Sequence, residues 1–128
     1  MSEDQRATSD SSNGLEALRR DLAEFAAARD WDQFHAPKNL AMALIAECAE
    51  LVEHFQWLSA EQSAALTAEK RAAVRLELAD VLIYLVRIAD KLDIDLLQAA
   101  RDKMAINEER YPAHRVRGDA RRANEYEI

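Results

Sequence analysis

An all-α fold, an antiparallel bundle of four main helices that assembles with further copies of itself, is what the sequence predicts. Three observations carry this. Only two Gly and two Pro occur in 128 residues, too few for a turn-rich β fold. Hydrophobic residues reach 49%, enough for a core. Apolar residues recur at spacings of three and four through most of the chain.

The first helix spans about Leu15 to Arg29, on the spacing of Leu15, Leu18, Leu22 and Phe25. Residues 30–37 break the pattern, and Pro37 suits a first helical position, where its missing N–H is not needed. The second helix runs from about Lys38 to Trp57, with Leu40, Leu44, Leu51 and Phe55 on one side and Ile45 and Val52 farther round. One helical turn fits within the polar stretch Ser59 to Ala68. The third helix covers about Glu69 to Leu92, with Val74, Leu78, Val81, Leu82, Leu85 and Ile88 as its expected buried stripe. Asp93 suits the cap of a fourth helix, Ile94 to about Arg110, which Pro112 stops. Short connections favour antiparallel neighbours. Helices two and three are apolar around more than a small lone bundle can cover, which predicts a homo-oligomer.

Residues 1–13 are Ser- and Asp-rich and read as a disordered tail, 14–113 as the helical domain, and 114–128 as a flexible tail. Acidic residues outnumber basic ones 24 to 17, a net charge of −7, which argues against polymeric nucleic acid and anionic membranes as partners. No apolar run reaches the roughly 18 residues of a membrane span. The start of the chain lacks the apolar stretch of a secretory signal. A cytoplasmic location is therefore expected. The single Cys48 excludes an internal disulfide and a multi-cysteine zinc site, and no basic neighbour in sequence activates it as a nucleophile.

The chemistry starts from acids in apolar company. Glu47 and Glu50 on helix two, and Glu77 and Asp80 on helix three, are pairs at i, i+3, so each pair shares a helix face. At about 100° per residue, Glu47 falls between Leu40, Leu44 and Leu51, and Glu77 among Val74, Val81 and Tyr84. Such pairs are common on solvated surfaces, but these two intrude on apolar stripes. Grouped carboxylates in that position need cationic partners or a cation, and Mg²⁺ favours carboxylates together with substrate phosphates. A di-iron bundle would want Glu-x-x-His on two helices, which these pairs lack. His54 follows Glu50 by four residues and reads as a polar residue near the helix end.

Lys103, Asn107 and Arg110 share one face of helix four, with Tyr111 next: a basic face fit for phosphates, or a solvated face paired with Glu108 and Glu109. Trp31, with His35 in the same loop, and Trp57 flank helix two, placed to sandwich a base or to seal a core.

Together these residues reach a family. Glu47-x-x-Glu50 followed by Glu77-x-x-Asp80 resembles the MazG-like all-α nucleotide pyrophosphohydrolases. Arg29-Asp-Trp-Asp-Gln-Phe-His-Ala-Pro37, Phe55-Gln-Trp57, Glu77-Leu-Ala-Asp-Val-Leu-Ile-Tyr-Leu85, Lys103-Met-Ala-Ile-Asn107 and Arg110-Tyr-Pro-Ala-His114 are similar to the dCTP pyrophosphatase branch. The resemblance covers about residues 15–114. It implies cleavage of the α–β phosphate bond of dCTP or a modified dCTP to the monophosphate and pyrophosphate. It also implies Mg²⁺ on Glu47, Glu50, Glu77 and Asp80, and a dimer or a dimer-of-dimers tetramer. Base stacking falls to Trp31 and Trp57, and nucleotide or phosphate contacts to His35, Tyr84, Lys103, Asn107 and Tyr111. On this reading Glu47 or Glu50 orients and deprotonates the attacking water, while Lys103 and Arg110 stabilise the departing pyrophosphate. Leu22 stands where relatives of the branch can carry His, which bears on base selectivity. The alternatives are a broader pyrimidine triphosphatase, acting for example on dUTP, and a non-catalytic oligomerisation module whose acids pair with Arg71, Arg75 or Arg87.

Overall fold

Helix starts and stops follow local chemistry closely. The computed structural model describes residues 14–121 and 125, so the expected tail 1–13 lies outside the described residues. Every described element is helical: α1 Gly14–Ala28, a 3₁₀ turn Asp32–Phe34, α2 Pro37–Glu53, α3 Ala60–Ser63, α4 Ala68–Lys91, α5 Leu96–Arg110 and α6 Ala113–Val116. Pro37 opens α2 as its missing N–H allows. The turn expected within Ser59–Ala68 is α3, opened by a capping box: Ser59 Oγ accepts from the Gln62 N–H at 3.1 Å, and Gln62 Oε1 from the Ser59 N–H at 2.9 Å. Thr67 Oγ1 accepts from the Lys70 N–H and starts α4.

Three boundaries differ from expectation. α2 ends at Glu53, not Trp57: the N–H groups of His54 and Phe55 bond three residues back, to the carbonyls of Leu51 and Val52, tightening the chain into a turn. The cap of α5 is Asp95, whose carboxylate accepts from the Gln98 N–H at 3.0 Å, and not Asp93. Asp93 ends α4 instead, because its φ of 54° lies in the left-handed region. The segment expected to be a tail from residue 114 begins inside α6, which Pro112 opens.

α1 and α4 stop by the same device. The Trp31 N–H reaches the Ala26 carbonyl at 2.9 Å and the Asp30 N–H that of Ala27 at 3.1 Å. At the end of α4 the Ile94 N–H reaches Ala89 at 2.8 Å and the Asp93 N–H reaches Asp90 at 3.2 Å. Both are Schellman motifs, and the left-handed position that usually takes Gly carries Asp30 and Asp93, each at φ 54°.

The chain divides into two compact units, Met1–Ile94 and Asp95–Ile128. Within the first, cross-helix pairs set directions. His54 faces Glu77, and His35 faces Arg87, so residue numbers fall along α2 as they rise along α4. Arg19 Nη1 meets Asp90 Oδ1 at 2.9 Å, which with Leu22 and Phe25 near Ile83 and Arg87 sets α1 antiparallel to α4 as well. Ala26, Leu40, Val74, Val86 and Ala89 are buried.

The stripe expected for α4 is rotated. Leu78, 53% exposed, Leu82 and Leu85 face outward, because α4 turns its Glu77–Asp80–Tyr84–Arg87 side toward its neighbours. Ile45, 71% exposed, Val52 and Met42 leave an apolar side of α2 uncovered in the single chain as well. No described helix is long and apolar enough to cross a membrane. The second unit holds α5 and α6, with every α5 side chain at least partly open to water.

Candidate metal and nucleotide site

The α2 face that carries Leu40 and Leu44 inward also carries Glu47, and the matching face of α4 carries Glu77 and Asp80. One carboxylate oxygen from each of Glu47, Glu77 and Asp80 lies within 4.8 Å of the others. Oε2 of Glu47 and Oε2 of Glu77 are buried and have no hydrogen-bond partner. Burial pushes both carboxyls above the usual glutamate range, and the neighbouring charges of Glu50 and Asp80 push the same way. Glu50, exposed at the rim, thus belongs to the cluster electrostatically.

His54, the residue that caps α2, brings Nε2 to 3.9 Å from Glu77 Oε1, so it does reach the cluster. Among the described residues no Arg or Lys pairs with Glu47, Glu50, Glu77 or Asp80; Arg87 pairs with Asp32 and Asp90 instead. Buried acid oxygens with neither donor nor cation are costly. The donor set is all oxygen and suits a hard divalent cation.

A cavity of about 240 Å³ joins this cluster to the loop before α2. Glu47 and Asp80 line it together with Trp31 and His35, Tyr84 and Arg87 add polar groups, and Leu22, Phe25 and Ile83 supply an apolar wall. Trp31 stands edge-to-face on Phe25, ring centres 5.7 Å apart at 70°, and the His35 ring lies 6.4 Å from it. The Arg29 guanidinium stacks 3.5 Å from the Phe25 ring centre. Asp32 ties the 3₁₀ turn to α4, accepting from Arg87 Nη2 at 2.8 Å and Lys91 Nζ at 2.9 Å, and these two cations hold its carboxyl below the usual aspartate range. Gln33 Nε2 bonds back to the Asp30 carbonyl and carboxylate.

The structure thus brings together Glu47, Glu77, Asp80, Trp31, His35 and Tyr84. It does not bring Trp57 to this cavity: that side chain is 87% exposed and absent from the lining. Within one chain the two tryptophans therefore form no sandwich. Lys103, Asn107 and Arg110 are exposed on α5 of the second unit, where Arg110 lies 5.7 Å from the Tyr111 ring centre. Sequence reasoning missed Asp32 and the cavity role of Arg87. The signal for Arg87 was present, since the stripe Glu77, Asp80, Tyr84 continues to it at helical spacing.

Residues 43–125 match the MazG-like family. The dCTP pyrophosphatase 1 of Mus musculus is 52% identical over 108 residues, which are 83% of this chain and 64% of that protein. The dCTP pyrophosphatase 1 of Homo sapiens is 49% identical over 113 residues, 87% of this chain and 66% of that protein. The chain thus spans a little under two thirds of the length of these relatives. Among solved structures, a pyrophosphatase from Archaeoglobus fulgidus superposes with a TM-score of 0.74 and 40% identity, over 77% of this chain and 93% of that one.

Proposed function

The chain belongs to the MazG-like family, and on that premise we propose that it hydrolyses dCTP, or a modified dCTP, to the nucleoside monophosphate and pyrophosphate as a nucleotide-pool enzyme of the cytoplasm. One observation carries the reading: a single cavity is lined at once by acids of the cation-deficient cluster and by an aromatic–imidazole pair. A nucleoside triphosphate needs both, a cation for its phosphates and a flat platform for its base.

Glu47, Glu50, Glu77 and Asp80 would hold Mg²⁺. The two orphaned oxygens fit such an ion. Bound there, Mg²⁺ would supply charge neutralisation for the phosphates. Glu47 or Glu50 takes the proton of the attacking water; the water oxygen bonds to phosphorus as the α–β bridging bond breaks, and pyrophosphate leaves. Trp31 stacks on the base, and Tyr84 and His35 offer polar contacts in the same cavity. Lys103, Asn107 and Arg110 are assigned to the phosphates and nucleotide on the strength of their charge, polarity and shared helical face, and Tyr111 on the family resemblance alone.

The uncovered apolar sides of α2 and α4 support assembly with further copies, as a dimer or a dimer of dimers, and the open Trp57 would then be covered by a second copy. The rival module would pair its acids with Arg71, Arg75 or Arg87; among the described residues Arg87 pairs with Asp32 and Asp90 instead, and only His54 approaches the cluster, which favours the enzyme. The second reading, a broader pyrimidine triphosphatase, is favoured by Leu22, an apolar cavity residue standing where relatives of the branch it resembles can carry His. The deciding experiment is a pyrophosphate-release screen over canonical and 5-methylated nucleoside triphosphates with Mg²⁺. Fastest turnover of dCTP or its 5-methyl form supports the reading, equal turnover of dUTP favours the broader enzyme, and no turnover of any nucleotide overturns both.

A further inference from the structure

We propose that Arg87 is a positioning residue that holds His35 as a neutral ring protonated at Nε2, so that His35 presents a hydrogen-bond donor to an acceptor atom on the edge of the bound base. The base in this statement rests on the nucleotide reading above; the state of the imidazole does not.

Arg87 is 3% exposed, the one buried charged side chain among the described residues. A guanidinium has only donors and stays protonated, so each of its partners must accept. Nη2 donates to Asp32 Oδ1 at 2.8 Å and Nη1 to Asp90 Oδ2 at 3.2 Å. Nε and Nη2 both approach Nδ1 of His35, at 3.3 and 3.1 Å. Nδ1 must therefore keep its lone pair, and the ring proton sits on Nε2. No described residue accepts from Nε2.

Charges around the ring agree with this. Burial first, and then the Arg87 charge, lower the pKa of His35, with Lys91 adding to the effect and Asp32 opposing it; Glu47 from α2 and Asp80 from α4 line the same cavity. Arg87 also grips Asp32, three residues before His35, so one side chain fixes both the position of the 3₁₀ turn and the tautomer of the ring that follows it. Pyrimidines carry a carbonyl or ring-nitrogen acceptor that a donor fixed in this way can read. Lysine at position 87 would keep the charge but lose the planar fork that serves three acceptors at once.

The test is ¹⁵N NMR of the His35 imidazole in the full chain, wild type against Arg87→Lys and the double variant Arg87→Met/Asp32→Asn, with thermal melts to establish that each is folded. The wild type at pH 7 is expected to show a neutral ring with Nδ1 bare and Nε2 protonated. Both variants are expected to show a mixture of tautomers. In Arg87→Lys the KM for dCTP is expected to rise roughly 3- to 10-fold, the worth of one hydrogen bond, and by more than kcat falls. A wild-type ring protonated at Nδ1, or a His35 spectrum that neither variant changes, overturns the proposal. If the spectra behave as expected and no nucleotide is bound or cleaved, the positioning role of Arg87 stands and the nucleotide reading falls.

Discussion

Glu47 on α2 and Asp80 on α4 bring carboxylate oxygens within 4.8 Å of one another and line the same cavity as Trp31. Glu47→Gln and Asp80→Asn each remove one charge from this pair with little change in shape. Pyrophosphate release from dCTP is expected to fall by at least the roughly 10- to 100-fold that loss of an outer-sphere metal partner costs. The helical circular dichroism should stay unchanged. Full activity in either variant would remove these residues from the metal site.

Glu77 supplies a pH test. Burial and the charge of Glu50 raise its carboxyl above the usual range, so the folded chain holds the protonated form better than the unfolded chain does. A raised group adds its stability below the unfolded pKa and loses it as pH climbs through the folded value. In metal-free wild type, this contribution is therefore expected to fade upward from the ordinary glutamate pKa of about 4.3. Glu77→Gln cannot ionise. In EDTA its Tm should gain on wild type as pH rises to neutrality, and Mg²⁺ should close the gap. A Tm difference that stays flat with pH would show that Glu77 carries no such strain.

Ligand linkage gives a third expectation. Mg²⁺ with a non-hydrolysable dCTP analogue should raise the melting temperature, by an amount equivalent to about 2.7 kcal/mol at a hundredfold excess over Kd. Mg²⁺ alone should give a smaller rise, and Trp31→Ala should keep that smaller rise while losing most of the analogue's share, since stacking on one aromatic is worth about 1–3 kcal/mol. No shift with either ligand would favour the oligomerisation module.

The uncovered apolar sides make a fourth. Light scattering of wild type should give a mass at least twice that of the single chain, and Ile45→Glu or Leu82→Glu should lower it, because a charge cannot be buried unpaired in an interface. A monomeric wild type would leave those leucines and isoleucines without their expected cover.

What the sequence made legible follows from periodicity. Acids at i, i+3 inside apolar stripes announced the Glu47–Asp80 cluster, because helical spacing alone decides which residues share a face. The α4 stripe was misjudged at Leu78, Leu82 and Leu85 because a helix apolar on two sides does not say which side its own chain covers. Arg87 was read as a possible partner for the motif acids; of its actual acceptors only Asp90 lies at local helical spacing, while Asp32 and His35 lie more than fifty residues away, a distance over which no local pattern runs. Trp57 lies outside the cavity, ten residues beyond Glu47 along the chain, and the turn after Val52 that ends α2 early has no Gly or Pro to mark it.

The Schellman motif at the end of α1 has an engineering consequence. Its last hydrogen bond is made by Trp31 itself, to Ala26, so the residue that stops the helix is also the cavity's aromatic wall. Phase along α1 and the aim of the indole are one quantity. A single alanine inserted ahead of Ala26 would swing Trp31 by about 100° around the helix axis, while an insertion at Ala64 or Ala65, between α3 and α4, would pass into an exposed part of a linker. Tolerance to insertions should therefore be sharply uneven along this chain, and low in the last turn of α1 although no acid of the cluster lies there.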